Sequence, residues 1–189
     1  MGTEAVRIIG IHGPSGCGKT TLAKLLEVQH DYKRVSFAHP IRTAAIYIYG
    51  CPAAHFHYPW IEQLCPQWGR THREMLQKLG TEGVRSIHPA VWALKLVNAI
   101  KQAPQEMRFV VDDVRFPNEA DFLQGMGGRI LELYPRTPNT QPTGHESEIP
   151  LSTRRPHAID KCFTMVGSML TPPELLQCAS ELKEEGWLP

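Results

Sequence analysis

This sequence of 189 residues predicts an α/β fold: five strands in a mostly parallel sheet with helices on both faces. Three observations predict it. Short apolar runs of strand length alternate along the chain with longer runs of helical period. The first strand passes directly into a glycine-rich turn and then a helix. Residues with chemistry fall just past strand ends, where open parallel sheets collect their ligands.

The first strand is "VRIIGI", an apolar run with no charge after Arg7, as suits a strand buried on both faces. "GIHGPSGCGKTT" follows, and it fits Gly, any four residues, Gly-Lys-Thr. In such a loop Gly13, Gly16 and Gly18 let backbone N–H groups approach phosphate oxygens, with Ser15 and Thr21 inside the same stretch. Lys19 then reaches the β- and γ-phosphates, and the Thr20 hydroxyl is a magnesium ligand. "TLAKLLEVQH" sets Leu22, Leu25 and Leu26 at helix spacing, so a helix N-terminus adds its orphan N–H groups to the anion site. The pattern in this context predicts a P-loop NTPase that binds ATP with magnesium.

"KRVSFA" is the second strand and "HPIRTAAIYIYG" a helix that stops at Gly50. Cys51 to Gly69, rich in Pro, His and Trp, has no clean period and reads as a loop over the mouth of the domain. "THREMLQKLGTEGVRSI" returns to helix, interrupted at Gly80 and Gly83, and "PAVWALKLVNAIKQ" is strongly amphipathic. "RFVVDDV" is a strand that meets Asp112 and Asp113 at its carboxyl end, and alternation leaves open which of the two faces the cleft. A short helix "NEADFLQGMGG" leads to the strand "RILELYP", whose partial alternation places it toward the sheet edge. The polar, Pro-rich run from Arg136 to Arg155 has no apolar period to anchor it and reads as a closing loop. "KCFTMVG" and "TPPELLQCASELKEEG" supply the last strand and helix. The whole, 1–189, reads as one domain with acceptor or lid insertions near 51–86 and 136–155.

Composition narrows the partners. A formal charge of +1 argues against a surface built to neutralise a nucleic acid. No apolar run reaches membrane-spanning length, and the chain enters a strand almost at once, with no signal segment before it. Five cysteines without paired spacing read as reduced thiols in a cytoplasmic protein, with Cys17 a bystander and no zinc-type cluster. His55 and His57 have a spacing that permits a metal, but no third ligand is evident. An exposed sheet edge or helix face leaves room for a homodimer.

Arginine supplies the remaining charge. Arg115 stands two positions beyond Asp113, and Arg42, Arg73, Arg85, Arg136, Arg154 and Arg155 are further candidates to grip phosphate. A phosphoryl-transfer enzyme needs such charge at both donor and acceptor.

"REMLQKLGTEGVR", "DDVRFPNEAD" and "GHESE" resemble the successive motifs of phage deoxynucleoside monophosphate kinases, and "FAHPIR", Phe37 to Arg42, resembles their segment after the second strand. The resemblance spans the P-loop through the late loop and implies transfer of the γ-phosphoryl of ATP to a deoxynucleoside 5′-monophosphate, in the host cytoplasm if phage-encoded. It implies Arg42 near the monophosphate and Arg73 and Arg85 near the acceptor cleft. Asp113, a magnesium ligand with Thr20, and Arg115 then stand at the reaction centre. His145, Ser147 and Glu148 fall in the closing loop, where Arg154 and Arg155 serve catalysis. Thr20 departs from the pattern, which has aspartate after the lysine. Two other readings remain: a P-loop kinase for another small molecule, and a nucleotide-dependent switch or ATPase that works with a partner.

Overall fold

The computed structural model describes residues 5–135 and 149–189. The chain divides into two compact units, one of residues 1–36 with 97–189 and one of Phe37–Leu96.

The first unit carries the sheet. Its strands are β1 (Ile8–His12), β2 (Tyr32–Val35), β5 (Arg108–Val111), β6 (Arg129–Pro135) and β7 (Lys161–Met165). They run in the order β2-β5-β1-β6-β7, every pairing parallel. All five residues of β1 are buried, as a central strand covered on both faces requires. One face packs on helices α1 (Lys19–His30) and α8 (Pro172–Glu184), through Ile9, Ile11, Leu22, Leu26, Leu133 and Leu182. The period of two turns Ile8 and Ile130 to the other face, where α6 (Pro117–Gln124) packs on β1 and β6 and buries Ala120 and Leu123.

Two expectations for this unit are refined. "RILELYP" does lie toward the edge, one strand in, but it pairs with β1 and β7 on its two sides, so its alternation is not that of an edge strand. Its apparent alternation came from Glu132, which is 1% exposed and turned to a buried histidine, not to solvent. The run ending at Arg155 is not structureless throughout, because α7 (Leu151–Arg154) and a 3-10 turn (Pro156–Ala158) close it. The anchor that periodicity missed is one fully buried side chain, Leu151.

The second unit holds α2 (Ala38–Tyr49), an antiparallel pair β3 (Leu64–Cys65) and β4 (Arg70–Thr71), and α3 (His72–Gln77). A π-helical stretch, Lys78–Val84, continues α3 into α4 (Arg85–Ile87), so Gly80 and Gly83 widen the helix and do not break it. Ile41 Cδ1 packs close over Gly80, 3.0 Å from where a Cβ would lie, so a larger residue there would have to push that side-chain tip aside. Helix α5 (Val91–Lys101) begins in this unit and ends in the first.

Candidate active site at the phosphate loop

The loop from Gly13 to Thr21 leaves the carboxyl end of β1 and enters α1. Its glycines are needed for their backbone. Gly18 caps α1 at φ 102, and Gly13 sits at φ 153 with Leu133 O only 2.9 Å from where a Cβ would be. Gly18 offers no side chain to the first-turn N–H groups of α1, which suits an anion there. Ser15, Gly16, Thr20 and Thr21 are exposed at this mouth.

Lys19 folds back across the loop, donating to Gly13 O at 2.8 Å and Pro14 O at 2.6 Å. Burial pushes its pKa below the ordinary lysine value, and the nearby Arg115 guanidinium adds to this, while Cys17, Asp112 and Asp113 pull the other way. Cys17 is fully buried beneath the loop, and burial raises its thiol pKa, which keeps it protonated and unreactive.

The Thr20 hydroxyl donates to Asp112 Oδ2 at 2.8 Å, so the carboxylate it meets is Asp112 and not Asp113. Asp113 instead accepts from the Ser36 hydroxyl at 3.0 Å. The two side chains diverge because successive residues past a strand point to opposite sides. Arg34, on β2, reaches Asp112 Oδ2 at 3.4 Å. Sequence reasoning passed over Arg34 and Ser36, although parallel pairing of β2 with β5 in register sets Val35 opposite Val111, one residue short of Asp112.

Arg115 is exposed, and its backbone N–H and that of Phe116 donate to the buried Glu119, which fixes the "DVRFPNE" turn. Arg154 donates to Arg115 O at 2.5 Å, while Arg155 pairs with Asp121 at 2.5 Å. Of the two late arginines, Arg154 is therefore the one held beside Arg115. Arg136, His145, Ser147 and Glu148 lie outside the described residues.

A second group unread from sequence borders the loop. His12 is 2% exposed, one residue before Gly13. Its Nδ1 lies 2.8 Å from Val114 O, and its Nε2 accepts the Leu151 N–H at 3.3 Å. Those partners fix a neutral ring protonated on Nδ1. Burial is the main cause that lowers its pKa to about 4. Glu132 accepts the Ser152 N–H at 3.3 Å. The pair thus holds the first N–H groups of α7, beside the phosphate loop.

In the second unit, Arg42 is half-buried on α2, Arg73 on α3 pairs with Glu62, and Arg85 opens α4. The same unit corrects the expectation of no zinc-type cluster among the cysteines. Cys51 and Cys65, whose sulfurs are 3.8 Å apart, converge with His72, all three buried. His57 and His55 are not in this group. All five cysteines are free thiols. Among the described residues no helix is long and apolar enough to cross a membrane.

No family model matches the chain. It is 28% identical over 166 residues, 80% of its length and 86% of the relative's, to a protein of Acanthamoeba polyphaga mimivirus named "Putative deoxynucleotide monophosphate kinase". Among solved structures it is similar to a dephospho-CoA kinase from Campylobacter jejuni, with a TM-score of 0.53 and 14% identity over 95% of this chain and 97% of that one. A shikimate kinase from Acinetobacter baumannii in complex with shikimate gives a TM-score of 0.52 at 16% identity, over 96% and 94% of the two chains. The α/β fold, a five-stranded parallel sheet flanked by helices, matches P-loop NTPase architecture.

Proposed function

We propose that the chain is a small-molecule kinase that transfers the γ-phosphoryl group of ATP, and that its acceptor is a deoxynucleoside 5′-monophosphate, which it converts to the diphosphate. One observation carries the kinase reading. Lys19 spans the glycine loop while the next residue, Thr20, meets a carboxylate from the neighbouring strand end. A bare anion site needs the first feature only.

The same pair fits magnesium. Two adjacent ligands of an octahedral magnesium, each about 2.05 Å from the ion, stand about 2.9 Å apart. Thr20 Oγ1 and Asp112 Oδ2 stand 2.8 Å apart. Magnesium bound there neutralises charge on the donor phosphates.

The chain's own groups account for the rest. Loop N–H groups and the N-terminus of α1 hold the donor phosphates. Lys19 exchanges the Gly13 and Pro14 carbonyls for β- and γ-phosphate oxygens, an exchange of neutral acceptors for anionic ones. Arg115, with Arg154 on its carbonyl, supplies positive charge as the γ-phosphoryl moves. A monophosphate acceptor is already ionised near neutral pH, so no strong base is required, and catalysis is positioning plus charge neutralisation. Arg42, Arg73 and Arg85 are the candidates to hold that acceptor.

Two findings support the acceptor assignment: the mimivirus relative's name and the motif likeness around "LQKLGT" and "DVRFPNE". The fold neighbours favour a second reading, a different small acceptor, because their names specify dephospho-CoA and shikimate. A hydroxyl acceptor needs a base, and under that reading Asp113, which accepts from Ser36 while Asp112 meets Thr20, is the candidate. One screen separates these. Magnesium-ATP is offered with the deoxynucleoside monophosphates, with hydroxyl acceptors including shikimate and dephospho-CoA, and with no acceptor. Diphosphate formation from a monophosphate supports the proposal. Turnover with a hydroxyl acceptor alone transfers it to the second reading, and acceptor-independent hydrolysis alone removes the kinase.

A further inference from the structure

We propose that Cys51, Cys65 and His72 bind one zinc ion. Their donor atoms lie within 4.8 Å of one another, and all three residues are buried. Three independent features point to a metal rather than to packing.

The first is spacing. Two thiolates on a tetrahedral zinc, each at about 2.3 Å, stand about 3.8 Å apart. The Cys51 and Cys65 sulfurs are 3.8 Å apart.

The second is the histidine. Its Nδ1 lies 3.1 Å from Gln63 O, so that nitrogen carries the proton and donates. The other nitrogen, Nε2, is then a lone pair, fully buried and without a hydrogen-bond partner. A buried acceptor left unmet is costly, and a metal satisfies it. A backbone carbonyl that fixes the ring tautomer from behind is also the usual outer support of a ligating histidine.

The third is charge and chemistry. Soft thiolates with an imidazole select zinc over magnesium or calcium. One Zn²⁺ with two thiolates is neutral, which suits a buried place better than any single ion does. As the two zinc–sulfur bonds form, the two thiol protons leave to solvent. Three protein donors leave a fourth tetrahedral position for a water, and His55 packs edge-on against the His72 ring, the centroids 4.9 Å apart.

The placement gives the ion a structural use. Cys51 follows the end of α2, Cys65 lies in β3, and His72 opens α3. Among the described residues, the buried cluster around the site holds Ala45, Phe56 and Met75 besides the two cysteines, with Ile46, Tyr49, Leu76 and Leu79 partly buried against it. So small a core gains from a staple that ties three short elements together.

The test uses the full, untagged chain under a reductant that does not bind metals. Zinc per chain is measured after gel filtration, and Co²⁺ is titrated into the apo-protein. We expect one zinc per chain. Cobalt should give thiolate charge-transfer bands and the visible bands of a tetrahedral ion. Cys51→Ser, Cys65→Ser and His72→Gln should each weaken cobalt by about tenfold or more. Cys162→Ser, at an exposed thiol, should not. Should a variant fail to fold, chelator competition on the wild-type chain still reads the affinity, and zinc should raise its melting temperature. Reduced wild-type protein that holds neither zinc nor cobalt overturns the proposal. So does a cobalt spectrum unchanged in all three variants. A Cys51–Cys65 disulfide in air, with no cobalt uptake after reduction, makes the pair a redox couple and also overturns it. None of these readouts involves ATP or an acceptor, so they stand or fall apart from the kinase reading.

Discussion

Lys19 is a donor already satisfied by two carbonyls, and in the proposed reaction it would exchange them for phosphate oxygens. Lys19→Ala should keep the fold and lower kcat by about a hundredfold or more, because the amine meets charge that shifts in the transition state. Near wild-type turnover in the purified variant would contradict the phosphate-loop assignment. The neighbouring acids divide more sharply. Asp112→Asn should raise the magnesium needed for half-maximal rate by about tenfold, as loss of a groomed ligand does. Asp113→Asn should leave that requirement unchanged, since its carboxylate faces Ser36. Magnesium titrations of the two variants decide the matter, and the opposite order would return the ion to Asp113. Arg115→Lys keeps charge but loses the two-pronged grip, so a rate loss of about tenfold is expected. Equal rates would make Arg115 a surface charge. At this scale the sequence was legible where spacing itself is the chemistry, as in Gly13 to Thr20. Which of two adjacent aspartates turns inward depends on side-chain direction past the strand end. The partners Arg34 and His12 depend on strand order. Neither can be read along one chain.

The elements were more legible than the residues. Five strands and their helices follow from period and glycine punctuation, and the exceptions have physical causes. Glu132 imitates a solvent-facing position because a buried acid looks the same in sequence as an exposed one. Gly80 and Gly83 look like breaks, yet the helix absorbs them by widening. Cys51 and Cys65 have no motif spacing because the hairpin β3–β4 and the end of α2 bring them together. Helix α8 offers a test of element stability. Thr171 caps it in a reciprocal box with Glu174, their side chains 2.6 Å apart. Thr171→Ala should cost about 1 kcal/mol, which is a fall of about 2–4 °C in melting temperature for a chain of this size. A melting curve unchanged by the substitution would show that packing alone holds the helix.

Across the whole molecule, His12 couples stability to acidity. In the unfolded chain it takes up a proton near pH 6.5, and in the folded chain only near pH 4. Between those values the unfolded state binds more protons, so stability falls as pH falls. The full loss, about 3 kcal/mol, is reached below pH 4. Protonation also removes the acceptor of the Leu151 N–H. Denaturant midpoints from pH 7 to pH 4 should therefore fall less steeply in His12→Gln than in the wild-type chain, and parallel slopes would rule His12 out as the acid-sensitive group.

Strands β2 and β5 are neighbours in the sheet, yet roughly seventy residues of chain, including the whole of Phe37–Leu96, separate them. Closure entropy grows only as the logarithm of that length, so adding or deleting about ten residues there changes it by about 0.1 kcal/mol. The same separation slows folding, because the pairing of β2 with β5 brings together distant parts of the chain. Evolution can therefore resize or exchange the inserted segment at almost no thermodynamic penalty to the unit that carries the five-stranded sheet, and the tax falls on how quickly each new version folds.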